Sequence, residues 1–154
     1  MDNSNLGQEK QPVFSIEKLY VKDSSLEVPL SPSIFLERQS PQVELELDCD
    51  HKNIEGFIFE VTVSVSVKAS AAEKVLFIIE VTQAGIFQLK NIPENYVDTI
   101  LGVDCPNIIF PYLRESVTDL STKAGFPPVY MSPVNFQALF EQRKSANNKQ
   151  ADAV

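Results

Sequence analysis

The residues with the most obvious capacity for chemistry form one short cluster, Asp48-Cys49-Asp50-His51. Thiolate, imidazole and carboxylate groups bind transition metals, and an imidazole can act as a general base. In an extended strand, however, Cys49 and His51 point to one side and the two aspartates to the other. His51 is the only histidine, and no second Cys/His pair completes a tetrahedral set. We therefore expect no metal site at this cluster.

The usual catalytic and nucleotide-binding motifs are also missing from the sequence. No serine stands in a Gly-x-Ser-x-Gly elbow, and the five glycines never cluster into a phosphate-binding loop. We predict no catalytic residue and no cofactor, and we expect that the protein is not an enzyme. Carboxylates are plentiful and sequence does not show which of them converge, so an enzyme or a small-molecule binder stays open as an alternative.

The overall charge narrows the class of partner. The chain of 154 residues has a formal net charge of −8, which disfavours nucleic acid because phosphate binding requires Lys and Arg. An acidic surface instead attracts basic partners. The N-terminus lacks the apolar core of a signal peptide, and no apolar run reaches the roughly 18 residues that span a bilayer. We expect a cytoplasmic protein without direct membrane insertion, with Cys49 and Cys105 reduced and buried.

Alternation of apolar and polar residues predicts strands in the first half of the chain. The period of two is clear over 43–50, 57–68 and 75–87, and weaker over 13–21. Short connections imply antiparallel neighbours, whereas the proline-containing segment 24–41 is predicted to be an extended loop or crossover. The positions opposite the apolar ones form an acidic face that includes Glu44, Glu46, Asp48, Glu60 and Glu80. This face is either simply solvated or a docking surface for a basic partner.

Helical spacing replaces alternation in the second half. Helices are predicted over 96–102 and 107–124, and a third begins at Ser132-Pro133 and fades after Arg143. Strands followed by helices are typical of an α+β fold. We predict a disordered arm at 1–12, a single domain over 13–143 and a disordered tail at 144–154.

Several segments together resemble one family, the bacterial protein-export chaperone SecB. They are YVKDSSLEVP at 20–29, PQVELELD at 41–48, FIIEVTQAGIF at 77–87, CPN at 105–107 and SPVNF at 132–136. The resemblance covers about 14–140. It implies a four-stranded antiparallel sheet with helices packed on one face, assembled as a dimer of dimers. The family holds secretory preproteins unfolded without ATP and delivers them to the translocation motor SecA.

The resemblance also implies three sets of site residues. The positions that match the SecA-docking patch are Asp23, Glu27, Ile78 and Glu80. The positions expected to bind unfolded clients, each of which could equally be ordinary core, are Phe35, Val43, Leu45, Leu47, Phe126, Tyr130 and Phe136. The apolar run 108–113 must be a core, a subunit interface or a surface for apolar partners. We expect it to form the interface of the homotetramer, with Ile108, Ile109, Tyr112 and Leu113.

A narrower function stays open beside general export. A SecB-like chaperone dedicated to one client, such as an antitoxin, would keep the apolar groove but would not need Asp23, Glu27 and Glu80. The presence of all three favours the general exporter.

Overall fold

A computed structural model of the chain describes residues 10–38 and 40–152. Four strands in the first part precede three helices in the second, in the order expected for an α+β fold. The strands are β1 (Val13–Glu27), β2 (Gln42–Glu55), β3 (Ile58–Ala71) and β4 (Lys74–Lys90). The helices are α1 (Glu94–Thr99), α2 (Cys105–Lys123) and α3 (Phe136–Asp152). A π-helical turn, Ile100–Asp104, joins α1 to α2, and a short 3-10 helix, Ser33–Leu36, follows β1.

The strands form one antiparallel sheet in the order β1-β4-β3-β2. Its two faces differ because successive side chains on a strand point to opposite sides. On β3, Val61, Val63, Val65 and Val67 form a buried row, while the residues between them are less buried and mostly polar. The predicted fold class, α+β with a four-stranded antiparallel sheet, is confirmed.

β1 is longer than its sequence pattern indicates. It pairs with β4 from Val13 to Glu27, so the first residues of the predicted loop at 24–41 belong to the sheet. The polar run 22–27 conceals the strand because β1 is an edge strand, where much of each residue remains in solvent and alternation is weakly enforced. Asp23 and Glu27 therefore lie on a strand that is hydrogen-bonded to β4, and not on a loop.

Helix α2 covers the buried face of the sheet. Its stripe of Ile109, Leu113 and Val117 is fully buried, and the helix contacts β3 and β4. Ile109 and Leu113 are therefore core residues of the protomer. Their predicted place in the oligomer interface is corrected. Ile108 is half-buried and Tyr112 is 50% exposed. These two residues remain available for an interface.

Two hydroxyl groups of α2 hold the connector that follows this helix, residues 124–135. Ser121 Oγ accepts a hydrogen bond from the Val129 N–H at 2.9 Å, and Thr118 Oγ1 donates to the Val129 carbonyl at 2.8 Å. Ser121 is buried and is satisfied in this way, as buried polar groups usually are. These bonds hold the connector against α2 and so position Phe126, which lies three residues earlier.

Helix α3 continues further than predicted. It begins at Phe136 and runs through Asp152, so the prediction that it fades after Arg143 into a disordered tail is corrected for residues 144–152. Five of its nine residues are Lys, Ala or Gln, good helix formers whose propensity does not depend on an apolar stripe. Residues 1–9 of the predicted N-terminal arm lie outside the described residues, as do 153 and 154. Within the described part of the chain, no helix has the length and apolar character needed to cross a membrane.

The burial of Leu113 gives a test of this assignment to the core. We expect Leu113→Ala to lower the free energy of unfolding by about 2–5 kcal/mol, because it leaves a cavity under the sheet. Urea unfolding measures this loss, and Glu115→Ala, an exposed change on the same helix, serves as the control. Equal stability of the two variants would contradict the assignment of Leu113 to the core of the protomer.

Candidate functional site

The strand register brings the four predicted docking residues together on the open face of the sheet. Glu27 on β1 lies opposite Ile78 on β4, and two residues along the strands Ser25 lies opposite Glu80. Asp23 follows opposite Thr82, on the same face. Asp23, Glu27, Ile78 and Glu80 therefore form one surface across two neighbouring strands.

The same surface continues across β3 to β2 and gains two carboxylates there. Rows of the sheet join Glu80 to Glu46 through Ser66, and Thr82 to Asp48 through Ser64. The Ser64 and Thr82 hydroxyl oxygens, 2.9 Å apart, lie on this face. A shallow groove of about 330 Å³ follows these rows. We call it the acidic groove; it is lined by Asp23, Glu46, Asp48, Glu80, Ser64 and Thr82.

The carboxylates of the acidic groove are mostly free of cationic partners. Among the described residues, no lysine or arginine lies within salt-bridge distance of Asp23, Glu46 or Glu80. Asp48 is the exception, because Arg143 reaches it from α3. The sequence placed Glu46 and Asp48 on the acidic face, but only the strand order shows that they lie across from the β4 residues.

Glu60 lies on the same face, but its carboxylate is paired with two lysines and a tyrosine hydroxyl. The Tyr20 hydroxyl donates to Glu60 Oε2, Lys22 Nζ lies 2.8 Å from Oε1, and Lys52 Nζ lies 3.9 Å from it. The hydrogen bonds from Lys22 and Tyr20 lower the pKa of the Glu60 carboxyl below its ordinary value. Burial, together with the hydrogen bond to Glu60, raises the pKa of Tyr20 to about 12. The open face thus has an acidic end and a neutralised end.

The predicted client-binding residues divide into a connected group and outliers. Phe35 packs on Phe126 with ring centroids 5.3 Å apart, and Phe126 packs on Phe77 at 5.2 Å. Phe77 shares a row of the sheet with Ala69 and Val43. Val43 and Leu45 are 40% and 45% exposed. We call this continuous band the apolar margin; it consists of Phe35, Phe126, Val43, Leu45 and the half-buried Leu47.

Two predicted client residues lie apart from this band. Phe136 is only 2% exposed and packs edge-on against Phe110, with centroids 5.7 Å apart. It is therefore a core residue, and its assignment to client binding is corrected. Tyr130 is exposed but lies beside Pro111 and Arg114 of α2, in a separate depression. Sequence could not separate these cases because aromatic residues are favoured both in cores and at binding surfaces.

A cleft of about 270 Å³ separates β2 from α3. Helix α3 approaches the π-helical turn closely because Gly102 has no side chain; a Cβ there would lie 2.5 Å from the Phe140 ring. Arg143 crosses to β2, where Nη1 donates to the Cys49 carbonyl at 2.7 Å and Nη2 to Asp48 Oδ1 at 2.6 Å. Cys49 and His51 also line this cleft.

The cleft does not provide a metal centre or an activated thiol. No group of three or more His, Cys, Asp or Glu side chains is arranged for a metal within the described residues. Burial raises the pKa of Cys49 to about 11, with a further increase from Asp48 and an opposing effect from Arg143. Burial likewise raises the pKa of Cys105 to about 12. Both thiols therefore stay protonated and weakly nucleophilic at neutral pH.

Comparison with known proteins gives consistent matches over nearly the whole chain. Residues 7–147 match the family described as "Preprotein translocase subunit SecB". The chain is similar to proteins named "Protein-export protein SecB". That of Methylobacillus flagellatus is 54% identical to it, and the alignment covers 92% of this chain and 90% of the relative. That of Chromobacterium violaceum is 51% identical (95% of each chain). A Mycobacterium tuberculosis SecB-like chaperone, solved in complex with a ChAD peptide from the HigA1 antitoxin, has a TM-score of 0.65 at 16% identity. The alignment covers 79% of this chain and 90% of that one, and supports the fold alone.

The Glu60 cluster predicts part of the acid sensitivity of the fold. Because the folded-state pKa of Glu60 is lowered, its contribution to stability is complete above its ordinary pKa of 4.5 and is lost as the pH falls through the folded-state value. We expect Glu60→Gln to be less stable than the parent at pH 7 and to lose less stability on acidification. Urea unfolding between neutral pH and pH values below 4.5 tests this. Parallel pH profiles for the two proteins would contradict it.

Proposed function

The chain belongs to the SecB family, and on this premise we propose that it keeps secretory preproteins unfolded without ATP and delivers them to SecA. Protein export is the role that family membership gives it. One structural observation supports the finer statement. The chain carries a carboxylate-rich surface and an exposed apolar band as two separate surfaces on one small sheet, so a basic partner and an unfolded client have different places to bind.

The acidic groove is the proposed docking surface for SecA. Clustered carboxylates on a rigid sheet increase the association rate of a basic segment and fix its register. Asp23 and Glu80 line this groove, and Glu27 and Ile78 continue the same face beside it, where the half-buried Ile78 offers an apolar contact among the charges. Glu46 extends the same negatively charged surface onto β2. The presence of this whole set favours general export over a chaperone dedicated to a single antitoxin.

The apolar margin is the proposed surface for clients. Exposed apolar patches of this kind mark interaction sites in soluble proteins, because leaving them in water costs free energy. Phe35, Val43 and Leu45 present large apolar side chains without forming a closed pocket. An open band of this kind can accept many apolar sequences, as a promiscuous binder requires. No cofactor or catalytic residue enters this function, and we place it in the cytoplasm.

Assembly as a dimer of dimers is part of the proposal. Ile108 is half-buried and Tyr112 is exposed, and both lie to one side of the buried stripe of α2. Phe14 of β1 lines one apolar depression together with Ile100 and Ile108. In the proposed homotetramer, each copy covers these exposed apolar residues of another.

A direct test measures chaperone activity and mass on one sample. Without nucleotide, the purified protein should prevent a chemically unfolded secretory precursor from aggregating at near-stoichiometric ratio, and its native mass should be that of a homotetramer. Light scattering reports the first and native mass spectrometry the second. Aggregation at the rate of the precursor alone, together with a monomeric mass, would reject the proposal.

A charge reversal separates docking from client binding. We expect Glu80→Lys to lower SecA affinity by more than about tenfold, because it places a like charge opposite the basic segment in the centre of the acidic groove. Client binding and native mass should not change, since Glu80 lies on the face away from the apolar margin. Glu55→Lys makes the same change in charge at the far end of β2 and is the matched control. Loss of client binding or assembly in Glu80→Lys would contradict the separation of the two surfaces.

A further inference from the structure

The edge of the sheet formed by β2 is closed by side chains at one end. β2 is an outer strand, so one side of its backbone has no neighbouring strand within the described sheet. On that side, Arg143 donates to the Cys49 carbonyl at 2.7 Å, and the His51 N–H donates to Asp50 Oδ1 at 2.9 Å. The Cys49 carbonyl and the His51 N–H therefore point away from β3.

The rest of the edge is open. Because backbone groups on an antiparallel strand alternate in direction, the outward-facing residues before Cys49 are Val43, Leu45 and Leu47. Within the described part of the chain, their outward N–H and carbonyl groups have no hydrogen-bond partner. The side chains of the same three residues belong to the apolar margin. An extended polypeptide can thus pair with this edge and bury apolar side chains against it at the same time.

The geometry points to Arg143 as the residue that ends the client segment on this edge. An extended client pairs with β2 at Val43, Leu45 and Leu47 and stops before Cys49, which limits the paired stretch to about five residues. This inference rests on the proposed function, since it requires that the protein binds unfolded chains. It assigns Arg143 a role in determining where and how long a client segment pairs.

Two hydrogen bonds of Arg143 oppose further pairing of a client strand with β2. The Cys49 carbonyl, which a sixth or seventh client residue would need as an acceptor, is already occupied. The guanidinium is also held by Asp48 Oδ1 at 2.6 Å, so both arms of its planar fork are used and its position is fixed between two acceptors. A client backbone that advanced past Leu47 would have to displace the guanidinium from the Cys49 carbonyl.

Residue-resolved amide hydrogen exchange on the full-length protein tests the inference. The probe is reduced, carboxymethylated lactalbumin, a permanently unfolded chain. In the parent protein it should slow exchange at Val43, Leu45 and Leu47 and leave Cys49 nearly unchanged. In Arg143→Met, which keeps the helix-forming stem but has no donor, it should also slow exchange at Cys49, by about tenfold.

Two further variants control the result. Lys144→Met changes the next residue of α3, whose ammonium lies 5.4 Å from the Phe140 ring centre, and should give the parental pattern. Arg143→Lys keeps the charge but offers a point donor in place of a fork, and should slow Cys49 by an intermediate factor. Amides of Leu139 and Phe140 report whether α3 stays folded, and Arg143→Lys provides the test if Arg143→Met loses that protection.

The possible outcomes are distinguishable. Slowing at Cys49 in the parent protein would overturn the role of Arg143, as would slowing confined to Val43, Leu45 and Leu47 in both Arg143 variants. A bound probe that leaves those three amides unaffected would overturn pairing along β2 but not chaperone function. Failure of the parent protein to bind the probe at all would instead reject the proposed function.

Discussion

The fold depends on one constraint, a single sheet with only one covered face. Ile109, Leu113 and Val117 of α2 press on the valine row of β3 and on β4, and this contact forms the centre of the core. The strict alternation of β3 then leaves its other row turned toward solvent. Carboxylates such as Glu80 can gather on that face without the desolvation cost that burial would impose on a charge. The acidic groove is a consequence of how the core is built.

The width of α2 determines where apolar surface remains exposed. The helix contacts the two central strands, β3 and β4, and the outer strands extend beyond it. Val43 and Leu45 on β2, and Phe14 and Ile16 on β1, therefore keep much of their surface in solvent although they lie in strands of the same sheet. One helix that covers two strands thus produces two exposed apolar edges. The proposed function uses the β2 edge for clients and the β1 edge for contacts between protomers.

Sequence could predict those features that local periodicity enforces, and failed where only the tertiary structure decides. The sequence predicts β3 because both rows of this strand follow a strict period of two, whereas it does not predict the polar half of β1 because an edge strand needs no such pattern. The helical spacing of Ile109 and Leu113 shows that this stripe is buried, but burial against the protomer's own sheet and against a second copy leave the same pattern. Family resemblance predicts Asp23 and Glu80 as docking residues. The strand order β1-β4-β3-β2 was needed to place Glu46 and Asp48 opposite them.

Carboxylates on one face of this sheet have different roles because of what surrounds each of them. Glu60 is bonded to Tyr20 and Lys22 and so links β3 to β1 across β4, whereas Glu80 has no salt bridge within the described residues. Asp48 lies between these cases. Its carboxylate lines the acidic groove and also holds Arg143, which at the same time occupies the carbonyl of Cys49. One arginine at this edge thus contacts the acidic groove through the Asp48 side chain and the backbone of β2 through the Cys49 carbonyl, two residues beyond Leu47 of the apolar margin.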